Sequence, residues 1–222
     1  MNTGIPSSAL GLWRRTARVA SGAALTLGLL ALVPTAQAQT VYGLSQNGTV
    51  LVTASFTSLL SGVAPATTPI TGIAAGQTLV GLDSRPATGE LFTLGYNGTG
   101  TGQLYTINPS NGAATAVGGT LALALGAAIE QIGFDFNPTV DRTRVTSSND
   151  ANIRLNPNGT TAPTNDLTIK FPAPSTENPV VGAVAYTNSF QGAATTMLYD
   201  IDESRSTLYI QTPPNNGGLN RR

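Results

Sequence analysis

Carboxylates are the groups in this chain from which chemistry could be built, because the sequence holds no histidine and no cysteine. Two of them, Asp83 and Asp135, stand at the same offset in two copies of a Gly-x-Asp-x-x-Pro phrase, Gly81 to Pro86 and Gly133 to Pro138. Two more, Asp200 and Asp202, flank Ile201 in a β-rich run, so strand alternation places both on one face, with Glu203 following. Hard carboxylate oxygens suit Ca²⁺, which makes these four aspartates weak candidates for a cation site at the axis or on a strand face. The plainer account of Asp83 and Asp135 is structural: each accepts backbone N–H bonds from the turn leading to Pro86 or Pro138. For Asp200 and Asp202 it is a solvated strand face running into a turn. A glycosidase needs two carboxyls matched across a cleft, and Glu90, Glu130, Glu177 and Glu203 show no such context. The lack of imidazole and thiol excludes Ser-His-Asp and Cys-His nucleophiles and the usual zinc ligand sets. Lys170, the single lysine, sits on an expected strand without a Ser-Lys motif. No catalytic residue is assigned, and no cofactor beyond the weak Ca²⁺ candidate.

The elements that carry these residues are short strands in repeated units. Gly81–Gly118 and Gly133–Thr164 agree at their turns: each passes from Gly-x-Asp-x-x-Pro to Asn-Pro (Asn108-Pro109, Asn156-Pro157) and then Gly (Gly112, Gly159). The first copy is four residues longer, in the Gly-rich patch at 98–102. Strands are expected at Leu79–Asp83, Glu90–Leu94, Gln103–Ile107 and Ala113–Val117, and again at Ile132–Phe136, Arg142–Ser147, Asn152–Leu155 and Leu167–Phe171. Val180–Thr187, Thr196–Asp202 and Thr207–Gln211 begin a third unit, with Leu198-Tyr199-x-Ile201-Asp202 echoing Leu104-Tyr105-x-Ile107-Asn108. Upstream, Val41–Leu44 and Thr49–Thr53 flank Asn47-Gly48 and read as a hairpin. Ser58–Thr71 reads as loop with one short strand near Pro69–Gly72, and Thr120–Ile132 as strand followed by turn. Spacing of about ten residues between strands, without a helical period, is an antiparallel all-β signature. Repetition of a four-stranded unit of about forty residues points to a β-propeller rather than its rival, a β-sandwich.

At the N-terminus, Arg14, Arg15 and Arg18 precede an apolar run, Val19–Val33, and then Ala36-Gln37-Ala38. That is the pattern of a cleaved secretory signal over residues 1–38, leaving 39–222 as one domain that is secreted or periplasmic. All eleven acidic residues but only eight of the eleven basic ones lie beyond Ala38, a net charge of −3. So weak a charge argues against nucleic acid, and no segment after the signal suggests a membrane. The expected partner is an unidentified extracellular or periplasmic one.

The phrases LVGLDSRPATGELFTLG, IGFDFNPTVDRTRV followed by NIRLNPNG, AYTNS, and TMLYDIDESRSTLYIQTPPNNGGLN resemble the bacterial exported family described as domain of unknown function 4394. The likeness runs from Val41 to Asn220 and is most specific at Asp83–Gly89, Gly133–Arg144 and Gln211–Gly217. It implies a propeller-like fold, and no activity comes with it. Members of the family continue with another strand-rich unit, so the resemblance implies a C-terminally truncated member lacking its final unit, with the outer strand of its third unit absent and the ring open at that end.

The remaining motifs have structural readings. Arg85, Arg142, Arg144, Arg154 and Arg205 pair with nearby acids or brace loops, Arg142 with Asp141 among them. The Asn-Gly-Thr triplets at 47, 97 and 158 read as turns before glycosylation sequons. The Gly95–Gly102 loop lacks the helix and lysine of a phosphate cradle. Tyr42, Phe92, Tyr105, Phe134, Phe136, Tyr199 and Tyr209 read as blade-to-blade core. The inventory favours a non-catalytic surface or matrix interaction module. The alternative is a hydrolase or lactonase using carboxylates and a divalent cation.

Overall fold

Alternating apolar and polar residues punctuated by Asn, Pro and Gly fold into short antiparallel strands, because each run has one face to bury and a turn to reverse it. The computed structural model describes residues 39–45 and 47–221; the expected signal segment, 1–38, lies outside them. Among the described residues fifteen strands form four sheets. The first is β1 (Thr40–Leu44), β2 (Val50–Ser55) and β3 (Ala66–Pro69), with a one-turn helix α1 (Phe56–Leu60) between the last two. The second is β4 (Thr78–Ser84), β5 (Leu91–Tyr96), β6 (Thr101–Ile107) and β7 (Ala114–Ala122). The third is β8 (Ile132–Asn137), β9 (Arg142–Ser147), β10 (Asn152–Leu155) and β11 (Thr164–Asn165). The fourth is β12 (Val181–Tyr186), β13 (Leu198–Asp202), β14 (Thr207–Gln211) and β15 (Leu219–Arg221). Each sheet is an antiparallel meander in chain order, and the four are the blades of a β-propeller.

The innermost strands pack in sequence, β4 on β8 and β8 on β12. β1 touches β4, but no comparable seam joins β12 to β1 among the described residues, so the ring is open between the fourth blade and the first. Blade one also differs in register. Its Asn47-Gly48-Thr49 turn and the Tyr42–Leu44 strand before it match Asn97-Gly98-Thr99 and Phe92–Leu94, the latter within β5. Leu44 lies opposite Leu51 as Leu94 lies opposite Leu104. β1, β2 and β3 are therefore the second, third and outer strands of a blade.

Three expectations are corrected here. The outer strand of the third unit is present: Leu219–Arg221 pairs with Tyr209–Gln211. The Leu198-Tyr199 echo is out of step, since β13 is a second strand whereas Leu104-Tyr105 lies in a third. The true counterpart is Leu208-Tyr209, followed by Pro213 and Gly217 where the other units have Pro109 and Gly112 or Pro157 and Gly159. Ser58–Thr71 is not loop throughout: Ser55 caps α1 by accepting from Ser58 N–H while the Ser58 hydroxyl accepts from Ser55 N–H, a capping box written with two serines.

The outer seams repeat one device. Gly112, Gly159 and Gly217 each lie in the connection that leads to the outer strand of a blade, with positive φ at 72°, 64° and 66°. Each carbonyl accepts an N–H from the preceding blade: Thr71 to Gly112 at 3.1 Å, Gly119 to Gly159 at 3.1 Å, Lys170 to Gly217 at 2.8 Å. A β-carbon at these positions would overlap the backbone carbonyl of Pro69, Val117 or Thr168.

Candidate functional site

The seams between successive blades use equivalent positions with different chemistry. Between blades two and three, Phe92, Leu94 and Leu104 meet Phe134, Phe136, Val145 and Ile153 in the largest apolar cluster. Phe136 stacks edge-on against Phe92 and Phe134, with ring centroids 5.3 and 6.2 Å apart. Blade three should offer blade four the same surface, yet register places Arg144 where Phe92 stands, Thr146 at Leu94, and Asn152 at Leu104. The apolar part of that seam shrinks to Ile169, Val181, Tyr209 and Leu219.

Arg144, only 1 % exposed, organises what replaces it. Its guanidinium donates to Asn152 Oδ1 (2.7 Å), Asp166 Oδ2 (2.6 Å), Asn215 Oδ1 (2.8 Å) and, more weakly, Tyr186 Oη (3.3 Å). Asp166 also receives Arg154 through two bonds of 2.8 Å. Gln211 donates to Asn152 Oδ1 and to the Pro214 carbonyl. A buried guanidinium is tolerable only with such partners. The network backs a cavity of about 230 Å³ whose lining includes Asn137, Arg142, Arg144, Arg154, Tyr186 and Asn215. The Arg142 guanidinium at its rim forms no ion pair or side-chain hydrogen bond with the described residues, since Asp141, expected beside it, takes Arg85 instead. Arg144 and Arg154 thus share one carboxylate, Asp166, and Arg142 joins them in the cavity lining.

Asp200 lies in the same seam, fully buried, at the position Val145 and Thr93 hold in the other blades. Neither of its oxygens accepts a hydrogen bond from a described residue. Burial pushes its pKa up to about 7, against the pull of the Arg144 charge. Asp202 is also fully buried, accepting from Ser204 and Arg205 (2.7 Å each) and from Val180 N–H (3.4 Å). The solvated face expected for this pair is therefore a packed one. Replacing Asp200 with Val should raise the unfolding free energy by about 1–3 kcal/mol at pH 8, because an unpartnered buried carboxylate disappears. Chemical denaturation checks this, and a destabilised variant would show that the carboxylate has a partner.

Asp83 and Asp135 come together on the innermost strands β4 and β8. Asp83 Oδ2 accepts Phe136 N–H at 2.8 Å, and Asp135 Oδ2 accepts Tyr186 N–H at 2.7 Å. Each aspartate so staples its blade to the next. Their partners are thus mainly across the seam, although Asp83 also accepts Ser84 N–H beside it at 2.7 Å. The two carboxyls are hydrogen-bonded to each other, and burial followed by the Asp83 charge pushes Asp135 up to about 8. Burial raises Asp83 as well. Among the described residues no three acidic side chains gather as a cation site.

The match of one family model decides the affiliation: residues 51–222 fit the description "Domain of unknown function (DUF4394)". The chain belongs to the DUF4394 family. A comparison with curated proteins finds no match. The DUF4394 match takes in the Arg144 network, the Asp83–Asp135 pair and all three seam glycines.

Proposed function

We propose that this chain is an exported, non-catalytic binding module that takes a small anionic group, such as the carboxylate of an acidic sugar, in the cavity between blades three and four. One observation carries the reading: Arg142, Arg144 and Arg154 line that cavity, Asp166 pairs with the last two, and the Arg142 guanidinium forms no ion pair or side-chain hydrogen bond with the described residues. Planar guanidinium forks match carboxylate and sulfate oxygens in pairs. The weak negative charge of 39–222 and the signal-like N-terminus suit an extracellular or periplasmic acidic ligand of low affinity. Calorimetric titration with glucuronate and sulfate, with glucose as the neutral control, should show binding by the anions only. Arg142→Gln should weaken it about tenfold, the loss of one charge-assisted bond. Equal response to glucose, or indifference to Arg142→Gln, would sink the reading. The side-by-side Asp83 and Asp135 favour a second one, a hydrolase or lactonase working with a divalent cation at the axis. It requires Ca²⁺ binding at millimolar metal that Asp83→Asn abolishes, measurable in the same calorimeter.

A further inference from the structure

The cavity between blades three and four presents hydrogen-bond donors and withholds acceptors. Among the described residues no acidic side chain belongs to its lining; Asp166, which pairs with Arg144 and Arg154, lines a separate hollow instead. Both of its asparagines are oriented by donors at their oxygen. Asn137 Oδ1 accepts Thr139 N–H at 2.9 Å and the Thr139 hydroxyl at 2.7 Å. Asn215 Oδ1 accepts from Arg144 at 2.8 Å. The Nδ2 of each amide therefore points the other way, and neither donates to a described residue. The Tyr186 hydroxyl accepts from Arg144 Nε, which leaves its own proton to give. Arg154 spends Nε and Nη2 on Asp166 and keeps Nη1. The main-chain oxygens are already engaged. Asn137 C=O takes Asp141 N–H, Pro213 C=O takes Asn216 N–H and Asn215 C=O takes Leu167 N–H. Pro214 C=O takes Gly217 N–H together with the amides of Asn152 and Gln211.

These donors stand on both walls. Asn137 and Arg142 lie opposite each other where β8 turns into β9, in blade three. Tyr186 ends β12 and Asn215 lies in the 3₁₀ turn Pro214–Asn216, in blade four.

We propose that the anionic group taken by this cavity is a sulfate ester on a sugar, an inference that rests on the anion-binding reading above and narrows it. A carboxylate has two coplanar oxygens, which the Arg142 fork alone can fill. Its arrival would close the blade-four donors off from water without giving them an acceptor, and such orphaned donors weaken binding. A sulfate ester has three terminal oxygens set tetrahedrally, so it accepts from Arg142 and Asn137 on one wall and from Tyr186 and Asn215 on the other. It also carries no proton. A phosphate monoester has the same shape, but its second pKa is about 6, so at pH 5 it brings an O–H to a lining with nothing to receive it. Val140, 58 % exposed, with Pro213 and Pro214, supplies C–H surface at the cavity for one face of the sugar ring.

Calorimetric titration of the purified protein at pH 5 with glucose 6-sulfate, glucuronate, glucose 6-phosphate and glucose reads the preference. The sulfate ester should bind about tenfold more tightly than glucuronate and than the phosphate ester, and glucose should not bind. Asn215→Asp keeps the oxygen that Arg144 needs and replaces only the free NH₂ by a second oxygen. It should abolish binding of the sulfate ester while leaving the thermal midpoint within a few degrees of the parent. Tyr186→Phe retains the main-chain N–H that Asp135 accepts, and should weaken the sulfate ester about fivefold while leaving glucuronate unchanged. Glucuronate or the phosphate ester binding as tightly as the sulfate ester would overturn this inference, as would a sulfate ester indifferent to Asn215→Asp. Sensitivity of those anions to Arg142→Gln would still uphold the broader reading. Glucose binding as well as the anions, or no binding by any of the four, would overturn both.

Discussion

Gly159→Ala is expected to lower the unfolding free energy by roughly 3–5 kcal/mol, among the largest effects of any single methyl group added to this chain. Two terms combine. At φ +64° an L side chain meets its own backbone, costing about 1 kcal/mol relative to glycine. The added carbon also runs into the Val117 carbonyl and toward Gly118, itself at φ +70°, so the two blades must separate at their outer edge. Separation stretches the Gly119–Gly159 hydrogen bond and loosens the apolar seam beneath it, where packing density leaves no slack. Gly62→Ala is the control. Gly62 precedes the outer strand of blade one with φ +70°, yet nothing lies within 4 Å of its absent β-carbon, because no seam forms there. Its substitution should carry the backbone term alone, about 1 kcal/mol. Thermal melts of both variants decide the matter: for a unit of this size about 10 °C should separate Gly159→Ala from the parent, and only a few degrees Gly62→Ala. Equal shifts would mean that steric contact between blades contributes nothing.

The same glycines explain why the architecture could be read before any coordinates. Turn residues answer to local backbone geometry, so Pro86, Asn108 and Gly112 recur as Pro138, Asn156 and Gly159 even where the strands between them have changed. Strand residues answer to whichever blade they face. Phe92 and Arg144 occupy one position and share no chemistry, so a comparison resting on turns passed over the polar seam, although aligning the strands through those turns would have exposed it. Asp166 offered no such signal, standing beyond the last shared turn. The false echo of Leu104-Tyr105 in Leu198-Tyr199 has the opposite cause: apolar-aromatic pairs suit any strand, and only Pro213 and Gly217 fix the register. Alternation correctly put Asp200 and Asp202 on one face. Parity alone does not say which face another blade will cover, and blade three covers theirs.

Rising pH should destabilise this protein between about pH 4 and pH 8, and Asp135→Asn should flatten the decline. Asp135 ionises near 8 in the folded chain against 3.8 ordinarily, so over that interval the folded state holds a proton the unfolded state has released. Stability linked to a raised pKa is complete below the unfolded value and is lost as pH climbs toward the folded one, at up to about 1.4 kcal/mol per pH unit for each proton retained. Asp200, titrating near 7, adds a decline of the same sign. Asp141 and Asp202, held below the ordinary range by Arg85 and by Ser204 and Arg205, act in the opposite sense but only in more acidic solution. An asparagine at 135 can still accept Tyr186 N–H and still donate to Asp83, which is the work of the protonated carboxyl, and it has no proton to lose. Denaturant midpoints for the parent and for Asp135→Asn should therefore diverge steadily from about pH 4 to pH 8, the variant becoming the more stable of the two by pH 8. Curves that stay parallel would show that Asp83 and Asp135 both ionise freely, leaving the two innermost staples held by charge alone.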